Sequence, residues 1–255
     1  MERDGVSVSC MRAAVFVFGA AAVLFGVIAL MWHDSDTWQT LSQIWSLPFG
    51  TIIGGCLMIG QIAGGIGMQY AGTARLASIV LGIVYLLFSL ACIPDILAAP
   101  GVYVHYGNFF EQFSCLCGAI ALYAATETRA ARAVAFGRMA RIGIGVCAIS
   151  FTVSQIVYLP ATASLVPKWI PPNQTFWANL TTAAFGLAAI SILIHRKARL
   201  ASRLLTLMLA LFGALVWVPR LIAHPEVHGN WSEFGLTFLI TGAVWMVADL
   251  RKMQG

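Results

Sequence analysis

Charge is what this sequence has least of. Lys and Arg (15) with Asp and Glu (10) make up only 10% of 255 residues, where a soluble domain carries about one quarter. Hydrophobic residues account for 60%, and the mean hydropathy is +0.84. That leaves too little polar surface to cover a water-soluble particle, which excludes a cytosolic enzyme, a nucleic-acid-binding module and a secreted disulfide scaffold. The net charge of +5 therefore has to be read by position rather than as a lure for polyanions. Also missing are a C-x-x-C pair and any Cys/His spacing suited to zinc, so no metal is expected. The six cysteines (10, 56, 92, 115, 117, 147) fall mostly in apolar runs. In the closest pair, Cys115-Leu-Cys117, two residues two apart on a helix point in different directions. These cysteines read as small packing residues, with a redox pair as the alternative. No P-loop, dinucleotide fingerprint, haem-attachment motif or hydrolase elbow is present.

What is present is long apolar runs. A spanning helix needs about 20 mostly apolar residues, and eight runs qualify: 13–32, 48–70, 76–97, 109–126, 140–159, 175–194, 201–223 and 231–248. Each is expected to be helical, because a backbone in lipid must satisfy its own hydrogen bonds. The first run is longer than the roughly 7–15 apolar residues of a signal peptide and reads as a retained span. Cations test the count independently of hydropathy. Arg3, Arg12, Arg75, Arg129, Arg132, Arg138, Arg141, Arg196, Lys197, Arg199, Arg203, Arg251 and Lys252 fall on one side, and only Lys168 and Arg220 on the other. This split predicts a multi-pass protein of the cell membrane with both termini in the cytoplasm. The outer side carries acids and four of the five histidines (His33, Asp34, Asp36, Asp95, His105, His224, Glu226 and His228).

The chain also repeats itself. Ala74-Arg75-Leu76-Ala77-Ser78 recurs as Ala198-Arg199-Leu200-Ala201-Ser202, Pro94 as Pro219, and Gly107-Asn108-Phe109-Phe110-Glu111 as Gly229-Asn230-Trp231-Ser232-Glu233. The order is kept, at offsets of 124, 125 and 122. The expected fold is all-α: two tandem four-helix bundles, residues 1–126 and 140–255, joined by a basic cytoplasmic linker at 127–139. An even number of spans per copy makes the repeats parallel rather than inverted. The first copy has a plain loop between its first two spans. The second has a longer one, whose Val166-Pro167-Lys168-Trp169-Ile170-Pro171-Pro172 disfavours helix. Trp169 and Trp177 suit an interfacial aromatic belt.

Residues 140–250 resemble the DoxX family of four-helix bacterial membrane proteins. The likeness rests on Val166-Pro167-Lys168-Trp169-Ile170-Pro171, Phe176-Trp177, Ala198-Arg199-Leu200-Ala201 and His228-Gly229-Asn230-Trp231. It reaches the first half only through the repeat, and an eight-span chain departs from the usual four-span length. The family is named for subunits of a thiosulfate- or quinol-linked oxidoreductase. The resemblance therefore implies a four-helix bundle and redox-associated work on a quinone or small sulfur compound near the outer leaflet.

Glu111 and Glu233 are the foremost candidates for chemistry, since an ionisable group within a span is costly. Two readings stand. Asn108-x-x-Glu111 and Asn230-x-x-Glu233 match capping boxes, with Asn as N-cap and Glu three residues on; alternatively the carboxylates take and give protons. His105 and His228 would assist proton transfer, or are loop imidazoles. Asn108, Asn230, Phe109, Trp231 and Trp169 are the candidate binding residues around an apolar headgroup. Asp95 and Arg220 are two interfacial charges or a pair across the repeat axis. Gly50, Gly54, Gly60 and Gly64 predict tight packing of the second span, and Gln61, Gln69 and Gln155 are expected to bond across helices. Besides the lipid bilayer, partners would be a quinone-like ligand and subunits of a membrane complex; no nucleic acid is expected. The competing functions are a small-solute transporter or channel and a non-catalytic scaffold for such a complex. Reporter fusions at residues 130 and 197 are expected to report the cytoplasm and fusions at 100 and 168 the opposite side; any exchange between these groups refutes the eight-span topology.

Overall fold

A backbone that has no water to bond must build helices, and the computed structural model consists of helices joined by turns and loops, with no strand, over the residues it describes, 2–32 and 39–250. The side chains of Arg3 and Cys10, and residues His33, Asp34, Asp36, Arg251 and Lys252, lie outside the described part. The helices are α1 (Glu2–Met31), α2 (Gln39–Trp45), α3 (Gly50–Gly67), α4 (Ala74–Ala91), α5 (Ile93–Ala98), α6 (Tyr103–Thr126), α7 (Ala130–Val157), α8 (Leu159–Leu165), α9 (Gln174–Leu193), α10 (Ala198–Phe212), α11 (Val218–Ala223) and α12 (His228–Asp249). Among the described residues, eight stretches are long and apolar enough to cross a membrane: Met11–Met31, α3, Ala74–Ala98, α6, α7, α9, Ala198–Ala223 and α12. The protein is thus an all-α, polytopic membrane protein. Most of the basic stretch 127–139 is helical, because α7 starts at Ala130 and carries Arg132 and Arg138. One local expectation needs correcting. The connection between the first two spans is no plain loop, since it contains α2.

The long helices neighbour one another in chain order, and the last closes on the first. α1 packs on α3, α3 on α4, α4 on α6, α6 on α7, α7 on α9, α9 on α10, α10 on α12, and α12 on α1. Across the ring, α12 also packs on α6 and, less extensively, on α7. Small residues set the closest approaches. A Cβ on Gly242 of α12 would lie 2.7 Å from the backbone nitrogen of Phe18 on α1. One on Gly118 of α6 would lie 2.9 Å from the Cα of Ala243 on α12. One on Gly64 would meet the Leu81 side chain at 2.6 Å, drawing α3 onto α4. Without a hydrophobic force between helices in lipid, such contact surfaces supply much of the association.

The span Ser202–Pro219 is one residue longer than Ser78–Pro94. A π-helical turn, Gly213–Trp217, lies within it and takes up the extra residue. In α4–α5 the corresponding stretch is broken at Cys92.

At the cation-rich end, two ion pairs occupy matching places. The Arg75 guanidinium donates to Glu127 at 2.9 Å and to the Tyr123 hydroxyl at 3.1 Å. Arg203 donates to Asp249 at 2.8 Å. Glu127 and Asp249 are 122 residues apart, the offset of the Glu111/Glu233 pair, although the arginines differ by one helical turn from the repeat register. Arg141 donates to the Ile192 carbonyl, holding the end of α9 against α7. The backbone N–H of Arg129 foremost, and the Arg75 charge, hold the Glu127 carboxyl below its ordinary range.

Two outcomes follow. Gly242→Ala should lower thermal stability by about 1–3 kcal/mol, because the added methyl meets backbone, whereas Gly55→Ala, which meets nothing within 4 Å, should leave the melting temperature unchanged or slightly raised. Because folding depresses the Glu127 pKa, its contribution is present at neutral pH and is lost as pH falls below the ordinary value of 4.5. Melting curves against pH should show this loss in the wild type and not in Glu127→Gln.

Candidate functional site

Polar groups inside a helical bundle at membrane depth gather where they can serve one another. Here they gather around one cavity of about 260 Å³. α7 contributes Ser154 and Gln155, α9 contributes Thr181, and α12 contributes Thr237. Phe151, Phe185, Phe212 and Trp217 give the remaining wall an aromatic character. Into this cavity come both Glu111, from α6 of the first half, and Glu233, from α12 of the second. Each carboxylate lies within electrostatic range of the other, and Arg220 lies within range of Glu233. The Arg220 guanidinium sits 5.3 Å above the Trp217 ring, so a cation and an aromatic face stand together at the rim. The Thr182 hydroxyl donates to the Gln155 carbonyl oxygen at 2.8 Å, the expected interhelical bond. Gln69 makes its own to the Val15 carbonyl, at 3.2 Å. Gln61, by contrast, is fully buried with neither end of its amide bonded.

The capping-box reading of the two glutamates is overturned. α6 starts at Tyr103 and α12 at His228, each preceded by a valine that makes no side-chain cap. Asn108 is already inside α6 and Asn230 inside α12, and neither first turn contains an acid. The physical reason is that α6 starts four residues ahead of Gly107, which lies buried inside the helix with room for a Cβ 4.0 Å from the Ser154 hydroxyl. It is a residue of the helix, not a turn residue ahead of one. The Asn230 amide instead donates to the His224 carbonyl at 3.2 Å.

Other expected site residues stand elsewhere. His228 stacks flat on Trp32, the residue after α1, with ring centroids 3.9 Å apart. Trp231 donates its indole N–H to the Pro225 carbonyl at 2.9 Å. Phe109 stacks on Phe113 at 5.8 Å. His105, in the first turn of α6, is half-buried and does not line the cavity, and nor do Asn108, Phe109, His228, Asn230 or Trp231. Asp95 and Arg220 do not pair: Asp95 accepts from Gln43 of α2 at 2.7 Å. Among the described residues, no three His, Cys, Asp or Glu side chains converge as metal ligands would.

Trp169 marks a second feature. It lines an apolar groove of about 460 Å³ between α9 and α10, covered by Val166, Pro167 and Ile170. Val166, Thr181, Phe212 and Val216 line both groove and cavity, so the two adjoin. Toward the cation-rich end the seam continues as a hollow of about 270 Å³, joined through Leu204 and Met208. Sequence inspection missed Trp217, Thr181 and Thr237, although hydroxyls within apolar runs were the available signal. Comparison with known protein families, curated proteins and solved structures finds no match for this chain.

Proposed function

We propose that this is a DoxX-like, tandemly duplicated membrane protein that binds a quinone-type amphiphile near the outer leaflet and handles its protons. The observation that carries this reading is one cavity holding two carboxylates from opposite halves, adjoining an apolar groove on the lipid-facing surface. A quinol is built the same way, with two hydroxyls on a flat ring and an isoprenoid tail. The hydroxyls would donate to Glu111 and Glu233, the ring would rest against Trp217, and the tail would lie between α9 and α10. A carboxylate accepting a hydroxyl proton is a plain acid–base exchange. Electrons would pass to or from a partner subunit, so the chain works as the quinone-binding member of a membrane complex. The groove favours a quinone over a small sulfur compound, which would gain nothing from a long apolar wall. Support for the duplication comes from the recurring landmarks, the matched ion pairs and the matched order of helix neighbours in the two halves.

Protein purified in mild detergent is expected to carry solvent-extractable quinone. Glu233→Gln and Glu111→Gln should each weaken binding of a short-chain quinol analogue by roughly tenfold or more, the loss of a charge-assisted hydrogen bond. Met208→Trp, which fills the groove, should weaken a long-tailed quinone and leave the short-chain analogue unaffected. Wild-type protein that binds neither, or glutamine variants that bind both as tightly, would refute the assignment.

A further inference from the structure

Among the described residues, the first half holds all but one of the buried side-chain atoms left without a hydrogen-bond partner, the exception being one Asp249 oxygen. Gln61 of α3 is fully buried with both amide atoms unbonded, Tyr85 of α4 is fully buried with its hydroxyl unbonded, and Gln112 of α6 is 2% exposed with its carbonyl oxygen unbonded. Water is absent from the hydrocarbon, so an amide with no partner at this depth calls for a bound polar molecule. Interiors meet such a demand with ordered water.

Helix register brings the three groups into one ascending series. On α3 and α4, Gly64 faces Leu81, Gly67 faces Ala77, and Gly60 faces Val84 and Val80, which puts Gln61 about level with Gly82. On α4 and α6, Gly82 faces Leu116 and Ala119, which puts Tyr85 about level with Cys115. Gln61, Tyr85 and Gln112 thus rise in two steps of about three residues, or roughly 4.5 Å each along the helix axes. Their side chains point inward, since Gln61 belongs to the buried stripe Gly50, Gly54, Met58, Gln61, Gly64, and Tyr85 to the stripe Leu81, Tyr85, Phe88. The Tyr85 ring meets Phe18 of α1 edge-on at 5.8 Å, so its hydroxyl lies within the first four spans and not on lipid. The series ends at Gln112, the neighbour of Glu111. At the repeat offsets, Tyr85 corresponds to Leu209 and Gln112 to Phe234, so the feature belongs to the first half alone.

We infer that Gln61, Tyr85 and Gln112 hold a file of internal water running from mid-membrane to the foot of the carboxylate cavity. Such a file is placed to exchange protons with Glu111 without passing through the ligand groove. The inference does not depend on the identity of the ligand, because water can be read directly.

Hydroxyl-radical labelling by X-ray pulses, followed by mass spectrometry on full-length protein in lipid nanodiscs, tests it. Radicals arise where water is bound, so a buried ring beside water is modified and a dry one is not. Tyr85 should be labelled at least fivefold faster than Phe18 and Phe88, which are equally buried. Gln61→Leu should cut the Tyr85 rate severalfold at an unchanged melting temperature. Tyr85 labelled as slowly as the two phenylalanines overturns the inference. So does a Tyr85 rate in folded Gln61→Leu equal to that of the wild type. If Gln61→Leu does not fold, the wild-type comparison of the three rings decides alone. Quinone-binding measurements on the same preparation report on the groove and cavity separately, so failure of one reading is distinguishable from failure of the other.

Discussion

One helix has to touch two others at backbone distance, and the site depends on it. α12 meets α1 where Gly242 lies on Phe18, and meets α6 where Ala243 lies on Gly118. Both contacts need a residue with almost no side chain, and they fall on adjacent positions of the same helix. With α12 fixed on both sides, the carboxylates two to three turns away on α6 and α12 come to line a common cavity. A larger residue at 118 or 242 would part the helices and, with them, the acids. Packing and chemistry are here the same constraint seen at two depths of the membrane.

Much of this was legible from residues alone. The eight spans follow from apolar length, and all eight recur in the structure. The repeat singled out Glu111 and Glu233 together, and they share a cavity. Other features were not legible, for identifiable reasons. Gly-Asn looks like a turn followed by a cap, but at Gly107 the helix has already started. His228 looks like a loop imidazole facing the acids, yet it stacks on Trp32, a partner 196 positions earlier in the chain. Nothing local in the sequence encodes that pairing. The α9–α10 groove is lined jointly by two helices and the Pro-rich segment, and no single residue announces it.

The two halves use a similar plan of helix neighbours for different ends. In the first, Phe18, Phe25, Tyr85 and Phe88 fill the interior, and glycines draw α3 onto α4. In the second, the seam between α9 and α10 has Ala184, Ala188 and Ala201 where closer contact would need interlocking partners, and hollows remain along its length. The π turn at Gly213–Trp217 adds to the difference, since it faces the cavity with Val216 and Trp217. An insertion of one residue in a helix is tolerated only if the widened turn is accommodated, and such turns occur often at functional sites. Although the two halves pack differently, each sends one carboxylate into the same cavity, which makes that cavity a feature of the whole chain rather than of one half.

The two glutamates also argue for use on energetic grounds. A carboxylate at membrane depth is costly and is retained where it is paired or needed. Two acids at the cation-rich end follow the first rule: Glu127 is paired with Arg75 and Asp249 with Arg203. A helix cap would have explained Glu111 and Glu233 structurally, but both helices begin ahead of them and are capped by neither. Arg220 offsets part of the charge of Glu233, and none of the cavity-lining side chains near Glu111 is a cation. Two acids that repel one another across a shared cavity add to the cost rather than relieve it. A proton kept on one carboxyl, or a hydrogen-bond donor placed between the two, relieves it.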